Sequence, residues 1–152
     1  MAQIQWHWHT FTELSHATLY DILKLRQDVF ILEQQCFYPD MDSQDQTALH
    51  LTGHADGKLV AYIRLLSKQK HGQPIVTITR VIVDSDLRGT GTGNDMMRMT
   101  LAYIDQHYPD SRVELQAQQY VRSFYEAFGF VAINEPYLDD GIMHVDMRRM
   151  SD

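Results

Sequence analysis

Hydrophobic and polar residues alternate one by one at the start of the chain and recur every three or four positions further along. The alternation covers residues 4–9 and predicts a strand with one buried face. The longer period begins after Ser15, a residue type that caps helix N-termini, and predicts an amphipathic helix over residues 15–34. The acidic segment that follows, 36–46, contains a proline and predicts a loop.

The middle of the chain contains three segments rich in β-branched residues, which favour strands. The first two, 47–55 and 58–66, are separated by an Asp-Gly dipeptide that predicts a tight antiparallel hairpin. A polar turn over residues 68–73 leads to the third segment, 75–83. Its apolar residues are nearly continuous, which predicts a central strand covered on both faces.

The second half of the chain alternates between helical and strand patterns. The predicted elements are a helix over 91–108, a strand over 112–117, a short helix over 121–128, and strands over 130–134 and 142–148. No linker, repeat or low-complexity tract interrupts the sequence. We therefore interpret residues 1–152 as one domain of the α/β class.

Composition narrows the classes of function. The formal net charge of −7 opposes a broad polyanion-binding face, so nucleic acid is not an expected partner. The single cysteine, Cys36, cannot form an intramolecular disulfide, which fits a reducing cytoplasm. Apolar runs are far shorter than the roughly 20 residues of a membrane helix, and the N-terminus lacks the features of a signal peptide. We expect a cytoplasmic protein with no membrane anchor.

The segment after the central strand carries the most informative pattern. It reads VIVDSDLRGTGTGN and runs from Val81 to Asn94. Its glycines admit positive φ angles, so that several backbone N–H groups can converge on phosphate oxygens at the start of a helix. The helix dipole adds about half a positive charge there, and Arg88 can add a charge-assisted hydrogen bond. The pattern predicts a phosphate site.

Two common phosphate-binding motifs fail on spacing. A dinucleotide fingerprint needs a third glycine at the position of Met96, and a Walker loop needs Lys-Ser/Thr where Asn94 and Asp95 stand. Neither a nucleotide-dependent oxidoreductase nor an NTPase is supported.

The remaining pattern, Arg-x-x-Gly-x-Gly after a Val-Ile-Val strand end, resembles the acyl-CoA pyrophosphate loop of the GNAT superfamily of N-acetyltransferases. A second segment, QQYVRSFYEAFGF, begins at Gln118 and looks like another signature of that family, which usually starts with Asn. Val121 stands where the family usually has Ala. The first helix, the acidic loop and His50 are similar to the ElaA-like branch of the superfamily, so the likeness covers nearly the whole chain.

The resemblance implies a mixed, mostly antiparallel sheet of six to seven strands. Helices flank both faces, and the sheet splays beside its central strands, where the pantetheine arm of acetyl-CoA binds. The expected donor-site residues are Val81, Ile82, Val83, Arg88, Gly89, Thr90, Gly91, Thr92, Gly93, Asn94 and Gln118. Arg122 could reach the adenosine phosphate of the coenzyme, or it could pair with Glu126.

The implied reaction is direct acetyl transfer from acetyl-CoA to a primary amine, of a small molecule or of a protein, in a ternary complex. Tyr125 stands at the family position of the general acid, and a phenol that titrates near 10 stays protonated at neutral pH and can donate to a thiolate. Candidate bases are Glu33, His50 and the acidic loop, whose three aspartates would also attract a cationic acceptor. A water relay without a dedicated base is the alternative.

Other functions stay open at this point. The histidines lack further ligands at a set spacing, so we expect no metal. The chain could be a catalytically silent acyl-CoA-binding sensor, or an enzyme like the acyl-homoserine-lactone synthases, which share the fold and a comparable N-terminal pattern. Edge strands could pair into a homodimer.

Overall fold

The computed structural model describes residues 3–150, which form one sheet of eight strands with helices on both of its faces. The strands are β1 (Gln5–Thr10), β2 (Leu49–Ala55), β3 (Lys58–Lys70), β4 (Gln73–Val83), β5 (Arg112–Gln118), β6 (Phe130–Ala132), β7 (Tyr137–Asp139) and β8 (Ile142–Arg149). The helices are α1 (His16–Arg26), α2 (Thr92–His107) and α3 (Arg122–Glu126). Within residues 3–150, no helix combines the length and the apolar character that crossing a membrane requires.

The sheet order is β1-β2-β3-β4-β5-β8-β6, and β7 pairs with β8. Every pairing is antiparallel except that of β4 with β5. This confirms the mixed, mostly antiparallel sheet, with one strand more than predicted. The additional strand is β7, which has three residues and follows Pro136, so that it carries no readable periodicity.

Apolar residues on the two faces of the sheet form two separate clusters. Along β3, Tyr62 points to the face covered by α1, where it packs near Ile22. Ile63 points to the opposite face and packs in the cluster that contains Met97 and Ile104 of α2. Because strand side chains alternate between faces, a strand segment covered on both sides has a continuous apolar sequence, as the buried residues 59–63 of β3 do.

The long first helix begins as predicted and changes its winding halfway. The Ser15 hydroxyl accepts a hydrogen bond from the Thr18 N–H at 3.1 Å and caps α1. From Gln27–Glu33 the chain continues as a π-helix, closed by a hydrogen bond from the Gln34 N–H to the Val29 carbonyl. Such turns are frequent at functional sites.

The predicted polar turn over 68–73 was too long. Strand β3 extends to Lys70 and β4 starts at Gln73, so that only His71 and Gly72 form the turn, both at positive φ (52° and 77°). Consecutive polar side chains at the exposed end of a hairpin are compatible with strand pairing, and polarity alone therefore placed the turn wrongly.

Strands β4 and β5 pair over only part of their length. Residues 75–78 pair in parallel with residues 112–115, and beyond this point the two strands separate. A register shift in the pairing of β3 with β4 accompanies Arg80, whose φ of 55° marks a bulge in β4. The sheet therefore opens beside its central strand, as expected from the resemblance.

Candidate active site

A cleft of about 1160 Å³ lies where β4 and β5 separate. The end of β4 and the start of α2 line one wall, and the end of β5, α3 and the hairpin of β7 and β8 line the other. The π-helix borders the cleft through Val29, Phe30 and Glu33. The segments predicted to bind the donor thus meet at one concave surface.

The start of α2 offers free backbone donors to this cleft. Gly91 precedes the helix at a φ of 90°, and the first α2 hydrogen bond runs from the Asp95 N–H to the Gly91 carbonyl at 3.1 Å. The N–H groups of the preceding helical residues therefore have no intrahelical partner. A Cβ built on Gly89 or Gly91 meets no atom within 4 Å, so the space in front of these residues is open. Together the free N–H groups at the start of α2 form a cradle that an anion such as a diphosphate fits.

Arg88 stands beside the cradle and is held by two neighbours. Its Nε donates to the Val83 carbonyl at 3.0 Å, and its Nη atoms donate to the two Glu33 carboxylate oxygens at 2.6 and 3.1 Å. The hydrogen bond from Arg88 lowers the pKa of Glu33. Glu33 therefore lies in the cleft as an ion-paired carboxylate, which is a weaker base than a free one.

Tyr125 occupies the inner wall of the cleft. Its side chain is 8% exposed, packed edge-on against Phe124 with ring centroids 5.1 Å apart. Burial raises the pKa of the Tyr125 phenol, so that it keeps its proton at neutral pH. None of the side-chain hydrogen bonds within residues 3–150 involves its hydroxyl, which leaves the group available to a bound molecule.

Some of the residues expected to bind acetyl-CoA line the cleft and others do not. Gln118 borders the cleft, and its Nε2 donates to Gln34 Oε1 at 3.1 Å. Thr90 and Thr92 are outside the cleft lining, with their hydroxyls 3.0 Å apart. Arg122 lies 3.5 Å from Glu126 and also outside the lining. The residues expected to bind acetyl-CoA that do line the cleft are Val81, Ile82, Val83, Arg88, Gly89, Gly91, Gly93, Asn94 and Gln118.

His50 lies away from the cleft. It is fully buried, with Nδ1 2.6 Å from the Tyr62 hydroxyl and Nε2 2.9 Å from the Asp45 carbonyl. Burial lowers the pKa of the imidazole and keeps it neutral. Both ring nitrogens are therefore occupied, and the structure does not bring His50 together with Tyr125.

The acidic loop forms a buried ionic network instead of an open acidic surface. Asp45 lies 2.7 Å from Arg26 and 2.8 Å from Arg64, and Asp40 and Asp42 also bind arginines. The remaining ion pairs are Arg26 with Asp40, Arg64 with Asp42, and Arg80 with both Asp40 and Asp42. Because three arginines neutralise three aspartates, the loop holds no uncompensated charge with which to attract a cation.

Replacing Asp45 by asparagine is expected to lower the free energy of unfolding at pH 7 by about 3 kcal/mol, since it leaves two buried guanidinium groups undercompensated. Burial raises the pKa of Asp45, but hydrogen bonds from Arg26 and Arg64 outweigh it and hold the pKa below its usual value. The carboxylate therefore stabilises the fold above the unfolded pKa of about 3.9 and loses this effect as pH falls further.

Urea denaturation at pH 7 and pH 3 measures this difference, which should shrink at the lower pH. Asp95→Asn is the matched control, because its ion pair with Arg98 is 68% exposed and worth at most about 1 kcal/mol. An equal loss of stability in the two variants at pH 7 would contradict the stabilising role of the network.

Several cleft residues were missed by the sequence analysis. Cys36 and Tyr38 come from the acidic loop, and Asp139, Ile142 and His144 come from the hairpin of β7 and β8. The likeness to family motifs did not extend to them, and the absence of β7 from the predicted elements hid the hairpin. Within residues 3–150, no three His, Cys, Asp or Glu side chains are grouped closely enough to hold a metal ion.

Comparisons with known proteins identify the family of this sequence and fold. A family model described as "Acetyltransferase (GNAT) domain" matches residues 19–151. Protein ElaA of Escherichia coli is 42% identical over 148 residues, which cover 96% of each sequence. The crystal structure of E. coli ElaA matches with a TM-score of 0.91 and 40% identity, over 97% of this chain and 100% of that one. An acyl-CoA N-acyltransferase from Pseudomonas aeruginosa matches with a TM-score of 0.90 and 37% identity, over 97% and 100%.

Proposed function

The chain belongs to the GNAT acyltransferase family, in its ElaA-like branch, and from this premise we propose that it transfers an acetyl group from acetyl-CoA to a primary amine. As a member of the family it is an acyl-CoA-dependent N-acyltransferase. The observation that carries the proposal is the open glycine cradle at the start of α2, in the same cleft as Tyr125. We also propose that residues 1–152 work as one domain.

The donor site is proposed to use backbone groups along two segments. Residues 81–83 of β4, the last two of which pair with β3, have no strand partner on the β5 side. Their main-chain groups on that side, apart from the Val83 carbonyl that Arg88 Nε binds, are available to the amides of pantetheine. The N–H groups that follow Gly91, together with Arg88, would bind the pyrophosphate. For Arg88 to do so, its guanidinium must share its donors between the diphosphate and Glu33.

In the proposed reaction a neutral amine attacks the thioester carbonyl directly. The new C–N bond forms, and the C–S bond breaks with its electron pair going to sulfur. Tyr125 donates its hydroxyl proton to the departing thiolate. Desolvation raises the pKa of the phenol, which makes it a weaker acid, but it also raises the proton affinity of a thiolate in the same cleft, so that the two effects offset each other.

The acceptor must lose a proton before it attacks. An alkyl amine with a pKa near 10.4 loses it at pH 7 at a cost of about 4.6 kcal/mol. Glu33 is ion-paired with Arg88, which lowers its basicity, and His50 is buried with both ring nitrogens occupied, so neither is a favourable base in this arrangement. The three aspartates of the acidic loop are bound to arginines.

An acceptor screen followed by release of free thiol tests the function. Wild-type protein is incubated with acetyl-CoA and a panel of alkyl amines, amino acids and peptides, and longer acyl-CoA donors are compared with acetyl-CoA. Amine-dependent thiol release with acetyl-CoA supports the proposal. Tight coenzyme binding without transfer to any amine would instead favour a sensor of acyl-CoA.

Replacing Arg88 by glutamine is expected to raise the Kd for CoA about 10- to 100-fold, because one or two charge-assisted hydrogen bonds to the pyrophosphate are lost. Stability should change by less than about 1 kcal/mol, since the pair with Glu33 is 44% exposed on both sides. Isothermal titration calorimetry measures the affinity. Arg98→Gln, an exposed arginine outside the cleft lining, serves as the control and should bind CoA like wild type.

A further inference from the structure

A histidine that the predicted site did not include lines the same cleft. We propose that His144 is the general base that removes the proton from the acceptor amine. The proposal rests on the function proposed above and adds a catalytic residue to it. Three observations carry it: the position of His144 in the sheet, the hydrogen bond that fixes its proton, and its placement relative to Tyr125.

The position of His144 follows from strand pairing. On β8 it lies directly opposite Gln118 of β5 and opposite Tyr137 of β7. Directly paired residues in antiparallel strands point to the same face of the sheet. The imidazole therefore shares its face with the Gln118 side chain, which reaches Gln34 at the end of the π-helix. His144 thus lies on the α1 side of the open sheet.

One hydrogen bond determines which ring nitrogen of His144 carries the proton. Nδ1 lies 2.7 Å from the Ile142 carbonyl oxygen. Because a carbonyl oxygen only accepts, Nδ1 must donate, and the neutral ring keeps its lone pair on Nε2. No other side-chain hydrogen bond of His144 is formed within residues 3–150. This is the tautomer that a base needs, with the ring held in place by the backbone.

Neighbouring polar groups are already engaged with one another. Gln116 Nε2 donates to the Tyr137 hydroxyl and to Asp139, both at 2.8 Å, and the Tyr137 hydroxyl donates to Asp146. The ring planes of Tyr137 and His144 are inclined by 30°, with centroids 6.4 Å apart. Unlike these groups, Nε2 of His144 makes no hydrogen bond to a side chain of the described residues and keeps its lone pair unused beside the cleft.

Tyr125 and His144 line the cleft from opposite faces of the sheet. Tyr125 packs in the apolar cluster on the α2 face, and His144 lies with Gln118 on the α1 face. A thioester lying in the gap between β4 and β5 would then have the acid on the side of its sulfur and the base on the side from which the amine approaches. This arrangement would place the base beside the attacking nitrogen and the acid beside the leaving sulfur.

The protons balance as follows. His144 Nε2 takes one proton from the alkylammonium acceptor and passes it to solvent, which restores the neutral ring. The amine then attacks, and the C–S bond breaks with its electron pair on sulfur, which takes the proton of the Tyr125 hydroxyl. The second proton lost by the nitrogen returns through water to the tyrosinate. The net products are the amide, the free thiol of CoA and one released proton.

The test uses full-length His144→Gln and His144→Ala with the amine that gives the fastest thiol release. Both variants should lower kcat by about 100-fold or more, in line with general-base contributions. Affinity for CoA, measured by calorimetry, should be unchanged. Added imidazole should restore the activity of His144→Ala by about tenfold, because it supplies the missing base, and should not restore Tyr125→Phe.

His16→Gln, an exposed histidine at the start of α1, is the matched control and should keep wild-type kcat. Circular dichroism and Tm establish that the variants are folded, and the glutamine variant covers the case in which alanine disturbs β8. A wild-type kcat in His144→Gln overturns the role of His144, and so does a folded His144→Ala that imidazole fails to rescue. Neither result contradicts the proposed acetyl transfer. Absence of amine-dependent thiol release in the wild type overturns the proposed function and this role with it.

Discussion

Replacing Tyr125 by phenylalanine is expected to lower kcat for acetyl transfer by between about 10² and 10⁴, the usual contribution of a general acid. The substitution removes one hydroxyl and keeps the ring that packs against Phe124 and Phe130. No side-chain hydrogen bond within residues 3–150 depends on that hydroxyl, so that the fold should lose little stability. Thiol release at saturating acetyl-CoA and acceptor measures the effect.

The size of this effect follows from where the phenol lies. Burial raises the pKa of Tyr125, which keeps the proton on the hydroxyl at neutral pH. A thiolate expelled into the same desolvated cleft is also less stable than in water, and without a proton donor it would re-form the thioester. Water has limited access to this side chain, which is 8% exposed.

Two measurements separate catalysis from binding. The Kd for CoA should be unchanged in Tyr125→Phe, because the pyrophosphate cradle is on α2 and the hydroxyl is on α3. Tyr103→Phe removes a hydroxyl from a tyrosine that stacks on Trp8 outside the cleft, and should keep wild-type kcat. Equal rates in wild type and Tyr125→Phe, or a rate loss explained by weaker coenzyme binding, would contradict the acid role.

The predicted phosphate-binding part of the site is contiguous in the chain, unlike Gln118 and Tyr125, which the likeness to a second family segment indicated. The strand end, the glycines and the helix start lie within residues 81–94, and local conformational preferences alone bring them together. The same holds for the Ser15 cap of α1 and for the Asp56-Gly57 hairpin, where both residues have positive φ. Local chemistry determines such features, so reading along the chain is sufficient to find them.

The parts that were missed depend on contacts between distant segments. β8 lies between β5 and β6 in the sheet, and only this arrangement brings His144 opposite Gln118. Likewise, the partners of Asp45 are Arg26 and Arg64, which lie 19 residues away on either side. Acidic residues between apolar segments predict a solvated loop, because the sequence does not reveal that buried arginines face them.

The candidate bases illustrate the same limit. Glu33 and His50 have suitable chemistry, and a resemblance to family patterns singled them out. Their usefulness as bases depends on what their lone pairs face, which is Arg88 for Glu33 and the Tyr62 hydroxyl for His50, whose Nε2–H donates to the Asp45 carbonyl. Residue type therefore identifies which side chains could act as a base, and hydrogen bonding decides which nitrogen or oxygen is free to do so.

Replacing Gly91 by valine is expected to raise the Kd for CoA about 1000-fold, because the added side chain fills the space before the α2 N–H groups and displaces two or more charge-assisted hydrogen bonds. The φ of 90° also strains any β-branched residue and lowers stability. Gly72→Val controls for that strain. Gly72 has a φ of 77°, its added Cβ also meets nothing within 4 Å, and it lies in the turn between β3 and β4, outside the cleft lining.

Both valine variants should therefore lose similar free energy of unfolding in urea, while only Gly91→Val loses the coenzyme in calorimetry. The comparison isolates the cradle, since the two sites share their backbone conformation and their open surroundings and differ in what lies beside them. If Gly91→Val binds CoA as tightly as Gly72→Val does, the diphosphate is not bound by these amides. Without that anchor, the alignment of a thioester with Tyr125 loses its structural basis.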